Sequence, residues 1–170
     1  MPFLIDPNFK LAKRSGVTAI MHILRSESTG SIHVTAPDPG TPPAIRFNFL
    51  SAALDREVTL AAMRLTRRIM TAPALSAIVG PELVPGQAID TDDALLDWVR
   101  ANAETAYHPV GTCKMGTDPM AVVDPELRVR GLTGLRVADA SIMPTLTSGN
   151  TNAPSIMIGE KASRMVLAAA

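Results

Sequence analysis

The chain has little cysteine, few aromatic residues and no net charge. Cys113 is its only cysteine among 170 residues, so no disulfide can form within the chain, and a reducing compartment such as the cytoplasm is favoured. Aromatic residues make up 4%, which is too few for a surface on which single-stranded nucleic acid could stack. The 16 basic and 16 acidic residues cancel. Neither nucleic acid nor an anionic membrane is therefore expected as a partner.

Long apolar runs are missing as well. No uninterrupted stretch approaches the roughly 20 residues of a transmembrane helix, and the opening residues lack the charged region and apolar core of a signal peptide. Apolar residues nevertheless make up 46% of the chain, which is typical of a folded protein rather than a disordered one. We expect one globular unit with a single core, and no transmembrane segment.

The first third of the chain carries the pattern of an antiparallel meander. Strands are predicted over residues 17–24, 31–35 and 44–49, between turn segments, and apolar residues alternate with polar ones most clearly over 31–35. His22 and His33 lie within these strands, and a histidine with a local hydrogen-bond partner is commoner there than a ligand. Both are left out of the site.

Two helices follow, and each has a recognisable start or stop. Residues 55–72 form the first, which Pro73 ends. Thr91 is a good N-cap for the second, whose lone Trp98 is expected in the core. The segment between them is expected to be irregular. The first helix should bury one apolar stripe and leave its arginines in solvent; the stripe consists of Val58, Ala61, Ala62, Leu65 and Ile69.

The last part of the chain predicts two short strands and a helix. The strands cover residues 122–129 and 135–140, and the final helix begins around Asn152–Pro154, because proline is tolerated in a first turn. Ile156, Ile158, Ala162 and Met165 are expected to supply its buried side. The fold class that results is α+β, an antiparallel sheet with flanking helices.

Two segments of this last part could carry chemistry. His108 lies in a loop fixed by Pro109, and a histidine so placed is a plausible general base. The start of the final helix offers unpaired backbone N–H groups and a favourable dipole for negative charge, and Asn150 adds a side chain that donates and accepts hydrogen bonds. The plainer interpretation stays open, since Asn150 or Asn152 could simply cap the helix and Asp139 could simply begin a turn.

Four motifs carry a resemblance to a known family. They are Tyr-His-Pro-Val-Gly-Thr-Cys-Lys-Met-Gly at 107–116, Val-Asp-Pro-Glu-Leu-Arg-Val at 123–129, Gly-Leu-Arg-Val-Ala-Asp-Ala-Ser-Ile-Met-Pro at 134–144 and Ser-Gly-Asn-Thr-Asn-Ala-Pro at 148–154. In this order they resemble the C-terminal part of the glucose–methanol–choline flavoprotein oxidoreductases. The last motif has asparagine at its variable position, and in this it resembles the choline and primary-alcohol dehydrogenase branch of the family.

The resemblance implies a role for each matching residue. His108 would accept the hydroxyl proton of an alcohol while its α-hydride passes to FAD, and Asn150 would orient the substrate oxygen. The FAD would be contacted by residues on three segments, and no metal site is implied; the cofactor-contacting residues would be Tyr107, Asp139, Ala140, Asn150, Thr151 and Asn152. By the same resemblance, residues 1–106 would form the substrate-side sheet and helices, and residues 107–170 would complete the FAD site.

The chain also departs from the family pattern. No Gly-x-Gly-x-x-Gly segment, which would bind the ADP part of FAD, occurs in it. The chain is therefore expected to be a fragment, or one part of a split enzyme, that needs a missing N-terminal half or a partner chain. Three alternatives remain: an alcohol dehydrogenase or oxidase, a cyanohydrin lyase of the same family, or an inactive fragment. The expected small-molecule partner is an alcohol.

Overall fold

The computed structural model describes residues 15–169 and divides the chain into two compact units, each with its own core, so the expectation of one unit with a single core is wrong. The first unit comprises the described residues up to Ile23 together with Leu50–Thr105. The second comprises Leu24–Phe49 and the described residues from Ala106 onward. The sequence analysis divides the chain between residues 106 and 107, into a substrate-side part and a part that completes the FAD site. That division describes which ligand each part would contact, not which residues pack together, and it stays a prediction.

Helices form the first unit. The helix α1 spans Ala53–Met70, a short α2 spans Pro73–Ser76, and α3 spans Asp92–Asn102. The predicted cap is confirmed, since the Thr91 side chain accepts a hydrogen bond from the Ala94 N–H at 3.3 Å. A small core of Met63, Leu95 and Val99 joins α1 to α3. Its partly buried apolar neighbours are Met21, Leu50, Leu60, Ile89 and Trp98, so the expectation for Trp98 is confirmed.

The predicted apolar stripe of α1 is wrong. The face that is buried carries Asp55, Thr59 and Met63, whereas Val58 and Leu65 are exposed. The buried threonine is compatible with this face because its hydroxyl donates to the Asp55 carbonyl one turn earlier, at 2.7 Å. Hydrophobic periodicity alone could not tell which apolar side of the helix finds partners within this chain.

One arginine of α1 is also not where the sequence pattern puts it. The pattern places Arg67 in solvent, but its side chain is only 21% exposed. Its guanidinium pairs with the Glu82 carboxylate at 3.0 Å and donates to the carbonyls of Gly86 and Ile89 at 3.1 and 2.8 Å. Arg67 therefore holds the segment after α2 against the helix, and Ile89 of the same segment packs against the core of this unit.

The second unit opens with a hairpin of two short strands. Here β1 spans Ser31–His33 and β2 spans Ala44–Arg46, antiparallel with Ile32 opposite Ile45. Gly30 is needed beside it, because a Cβ there would clash with the Arg46 carbonyl oxygen. The first strand of the predicted meander, over residues 17–24, is not formed. A strand needs a neighbour to pair its backbone, and within the described residues this segment has none.

The C-terminal part is a compact arrangement of loops, a 3-10 helix and the helix α4. The strands predicted over 122–129 and 135–140 are wrong as continuous strands; single bridges join Met115 to Val123, Val123 to Val129 and Arg128 to Arg136. The 3-10 helix spans Ala140–Ile142 and α4 spans Asn152–Leu167. The turns at Gly131 and Gly134, both with positive φ, lie between the bridged residues Arg128 and Arg136.

The helix α4 lies on the largest core of this unit. Ile158 and Ala162 are buried there and Met165 packs against the same cluster, as predicted, but Ile156 is 66% exposed. The other buried members come from the loops and the 3-10 helix, and they are Val123, Leu127, Ile142 and Met143. Among residues 15–169, no helix combines the length and hydropathy that a membrane crossing requires.

Candidate active site

The loop at residues 107–116, called the histidine loop below, has a closely constrained backbone. Tyr107, just before His108, has a φ of +59°, and Gly111, three residues after it, has a φ of +86°. Left-handed backbone costs a non-glycine residue about 1–2 kcal/mol. Pro109 fixes its own φ and restricts His108 to extended conformations. The imidazole is thus carried by a segment with little backbone freedom, and such strain is commonest at functional positions.

The structure joins this loop directly to the start of α4. The His108 Nδ1 atom lies 2.9 Å from the Thr151 hydroxyl oxygen, across 43 residues of sequence. His108 is half-buried and Thr151 is buried. The sequence interpretation placed these two segments together, but it assigned Thr151 a role at the cofactor and missed its contact with the histidine.

The start of α4 has free backbone donors. Thr151 occupies the N-cap position without a side-chain cap hydrogen bond. The first backbone hydrogen bond of the helix runs from the Ser155 N–H to the Thr151 carbonyl at 3.0 Å. Pro154 has no N–H, so the amides of Asn152 and Ala153 are the donors left at this end. Both residues are exposed. Two amides at the positive end of a helix dipole suit an electron-rich ligand edge.

The residues predicted at the third cofactor segment lie at the 3-10 helix. The Asp139 carboxylate accepts from the Ser141 N–H at 2.7 Å and so caps that helix. Ala140 begins the helix and is half-buried. The histidine loop pairs with the same helix, because the Cys113 N–H donates to the Ser141 carbonyl at 3.0 Å. Asp139 therefore has a structural role here, and any ligand contact at this position would fall to backbone and small side chains.

Asn150 lies in the loop just before Thr151, and its side chain is exposed. That loop has one anchor for which the sequence offers no signal. The Arg25 Nε–H donates to the Ser148 hydroxyl at 2.6 Å, which ties the loop to the segment before β1. A long-range bond between two exposed polar residues leaves no periodic pattern in a sequence. Asn150 thus lies in a short loop segment that hydrogen bonds hold on both sides, at Ser148 and at Thr151.

Two carboxylates beside the histidine loop are shifted toward their charged form. The Lys114 ammonium donates to Asp118 at 3.0 Å, and this hydrogen bond lowers the pKa of the Asp118 carboxyl. For Asp124 the loss of hydration raises the pKa, but the hydrogen bonds and charge of Arg128, together with the backbone N–H of Glu126, lower the pKa overall. These pairs hold turns and face solvent. Residues 15–169 contain no group of three or more His, Cys, Asp or Glu side chains that could hold a metal ion.

Both sides of the site rest on one core. Val110 of the histidine loop packs against the cluster that contains Ile142 and Met143, and Ile158 and Ala162 of α4 belong to the same cluster. The position of His108 relative to Thr151 is thus set by shared packing as well as by the hydrogen bond. The arrangement places an imidazole, an amide side chain and a helix N-terminus on adjoining segments of one unit.

Comparison with known families identifies this arrangement. The family model described as GMC oxidoreductase, in its C-terminal form, matches residues 26–159. The match covers all of the motif segments from the histidine loop to the start of α4. The chain therefore belongs to the GMC oxidoreductase family and carries its C-terminal domain.

Individual relatives agree with this. The chain is 48% identical over 167 residues to the oxygen-dependent choline dehydrogenase of Escherichia coli, an alignment that covers 98% of this chain and 30% of that protein. Among solved structures, the pyridoxine 4-oxidase from Mesorbium loti superposes with a TM-score of 0.79 at 36% identity, covering 83% of this chain and 28% of that one. The formate oxidase of Aspergillus oryzae RIB40 gives a TM-score of 0.77 at 29% identity, with 82% and 25% covered. The chain thus spans less than a third of the length of these relatives.

Proposed function

We propose that this chain is the catalytic C-terminal part of an FAD-dependent enzyme that oxidises a primary alcohol, choline-like or aliphatic, to an aldehyde. The observation that carries the proposal is the contact between His108 and Thr151, because it fixes an imidazole beside the start of α4. The relatives described above support the class of reaction, since they include a choline dehydrogenase and a pyridoxine oxidase. Choline and pyridoxine both carry a primary hydroxyl group of the kind proposed for the substrate.

His108 is the proposed base. An alcohol carbon releases hydride more readily as its hydroxyl loses its proton, so the reaction needs a proton acceptor within hydrogen-bond reach of that hydroxyl. The Nδ1 atom of His108 is engaged by Thr151, which leaves Nε2 to accept the proton. Asn150 is the proposed orienting residue: its exposed amide can donate a hydrogen bond to the substrate oxygen and hold it toward the imidazole.

FAD is the proposed cofactor, and the residues at the start of α4 fit it. The structurally similar formate oxidase contains FAD that undergoes modification. When bound, the flavin accepts the hydride. The uncapped amides of Asn152 and Ala153 would hold an oxygen or nitrogen edge of such a ring by donating hydrogen bonds. Ala140 and the backbone of the 3-10 helix would allow close approach, and Tyr107 would border the site from the histidine loop.

The chain is proposed not to hold FAD by itself. The ADP-binding glycine segment is not in the sequence, and apolar side chains that follow the hairpin are open to solvent. Phe47 and Phe49, stacked with their ring centroids 5.0 Å apart, are 44% and 57% exposed. A missing N-terminal half or a partner chain would supply the remaining cofactor contacts, and the substrate pocket would be completed only then.

Replacement of the base tests the proposal. In a complete flavoenzyme that carries this segment, His108→Ala should slow flavin reduction by alcohol by about two to four orders of magnitude, since general base catalysis contributes that much. Anaerobic stopped-flow bleaching of the flavin absorbance measures this step. His33→Ala, at an exposed histidine of β1, is the matched control and should reduce at the parent rate. Equal rates for both variants would remove His108 from the mechanism.

A further inference from the structure

The Thr151 hydroxyl is not used by the helix that it precedes. A threonine at an N-cap usually accepts a hydrogen bond from the backbone N–H of the second or third helical residue. In α4 the third residue is Pro154, which has no N–H, and Thr151 makes no side-chain cap bond. The hydroxyl oxygen instead lies 2.9 Å from His108 Nδ1. Pro154 thus removes one of the two usual partners of this hydroxyl, and the other, the Ala153 N–H, makes no hydrogen bond to it.

Two arrangements of hydrogen atoms fit this distance. Either Nδ1–H donates to the threonine oxygen, or the threonine hydroxyl donates to a bare Nδ1. Only the first leaves Nε2 unprotonated and able to accept a proton. It is also the only one that survives proton transfer unchanged, because both nitrogens of an imidazolium carry hydrogen and Nδ1–H then still donates to the same oxygen. One geometry therefore serves the imidazole before and after it accepts a proton.

We propose that Thr151 is a positioning residue that holds His108 in the tautomer with hydrogen on Nδ1, so that Nε2 is available as the base. This rests on the proposed function, which assigns the base role to His108. The burial of Thr151 supports it, since the residue is 9% exposed and water competes little for the hydroxyl. Within residues 15–169 no hydrogen bond to Nε2 is formed, which leaves that nitrogen to a ligand.

Nuclear magnetic resonance of the chain itself reads the tautomer without any activity. The protein contains three histidines, so a two-bond ¹H–¹⁵N correlation spectrum of histidine-labelled protein has three patterns, and His108→Asn identifies the one that matters. In its neutral form, His108 should show a protonated Nδ1 and a bare Nε2. An Nε2–H pattern in the parent protein would overturn the proposal.

Two substitutions at the same position separate the hydroxyl from the packing. Thr151→Val keeps the shape and removes the hydroxyl, and it should raise the Nε2–H population of His108 about three- to tenfold, as expected for loss of one neutral hydrogen bond. Thr151→Ser restores a hydroxyl and should restore the parent pattern. Because α4 has no side-chain cap to lose, the valine variant should lose only the stability that the one hydrogen bond to His108 contributes. An unchanged tautomer in Thr151→Val, or a serine variant that behaves like the valine one, would contradict the role.

In a complete flavoenzyme the same pair has a kinetic prediction. Thr151→Val should lower the limiting rate of flavin reduction about three- to tenfold with a smaller change in substrate affinity, and Thr151→Ser should recover most of it. The two proposals fail separately. If the tautomer of His108 changes in Thr151→Val but the His108→Ala enzyme reduces its flavin at the parent rate, the base role is wrong and the positioning contact stands. If His108→Ala is inactive and the tautomer of His108 is the same in Thr151→Val as in the parent, only the positioning role is wrong.

Discussion

Arg67 offers the sharpest test of how the first unit is held together. Its guanidinium, on α1, pairs with the Glu82 carboxylate through Nε at 3.0 Å and through the terminal nitrogen at 3.2 Å. Both side chains are 21% exposed, so this is neither a surface pair nor a fully buried one. Arg67→Met keeps much of the aliphatic length and removes every donor. The variant therefore isolates the polar contribution of one side chain to the segment between α2 and α3.

The cost can be worked out contact by contact. A charge-assisted pair of this exposure should contribute about 1–2 kcal/mol, between the values for exposed and buried pairs. The carbonyls of Gly86 and Ile89 each lose a donor, at about 0.5–1 kcal/mol apiece where water replaces it only in part. Asp90 is 77% exposed and adds little. The variant should lose about 2–4 kcal/mol of unfolding free energy.

Urea unfolding of the chain, followed by circular dichroism, measures this loss. With a typical slope of about 2 kcal/mol per molar, the midpoint should fall by about 1–2 M. Arg68→Met is the matched control: it makes the same change one residue further along α1 and outside the Glu82 contact, and should shift the midpoint by less than about 0.3 M. Amide exchange at Ile89, whose N–H donates to the Gly86 carbonyl at 3.1 Å, should accelerate only in the Arg67 variant. Equal midpoints for both variants would refute the assignment of Arg67 as the anchor.

Two further predictions concern the loop and the cofactor. Gly111→Ala should cost about 1–2 kcal/mol of unfolding free energy, measured with urea, because φ is +86° and the new Cβ would lie 3.4 Å from the Met143 carbonyl oxygen. Gly80→Ala is the control and should be near neutral, because no atom lies within 4 Å of a Cβ at that position. A larger loss of stability for Gly80→Ala than for Gly111→Ala would contradict the role of the turn. The purified chain mixed with FAD and passed through a desalting column should emerge without the visible absorbance of a flavin. A yellow protein with stoichiometric FAD would show that the missing segments are not needed for binding.

The elements that sequence reasoning predicts well are those with local signals. The helix α3 begins where the Thr91 cap indicates, and α4 begins at Asn152 within the predicted window. The strands at 122–129 and 135–140 are wrong because pairing is a property of two distant segments. Alternating apolar residues there fill a core through isolated bridges, as Val123 does, and an alternating pattern cannot distinguish this from a ladder.

The site is predictable in part. The family motifs draw attention to His108 and Asn150, and the structure brings the segments that carry them together through Thr151. The contact itself has a signal in the sequence: Pro154 at the third position of α4 removes one of the amides that a capping threonine usually binds. The Arg25 to Ser148 bond has none, since nothing local relates two polar residues 123 positions apart.

The packing beneath the site has a consequence for mutational scanning. Val110, Ile142 and Ile158 lie in one cluster that supports both the histidine loop and α4. Shortening any of them, for example Ile158→Val, would cost about 1 kcal/mol in stability, yet could also shift the imidazole relative to the hydroxyl that it contacts. A scan that scores only turnover would then count apolar positions as hits alongside His108. Such hits would report alignment of the two segments, and abundance measured in parallel would be needed to separate them from losses of folded protein.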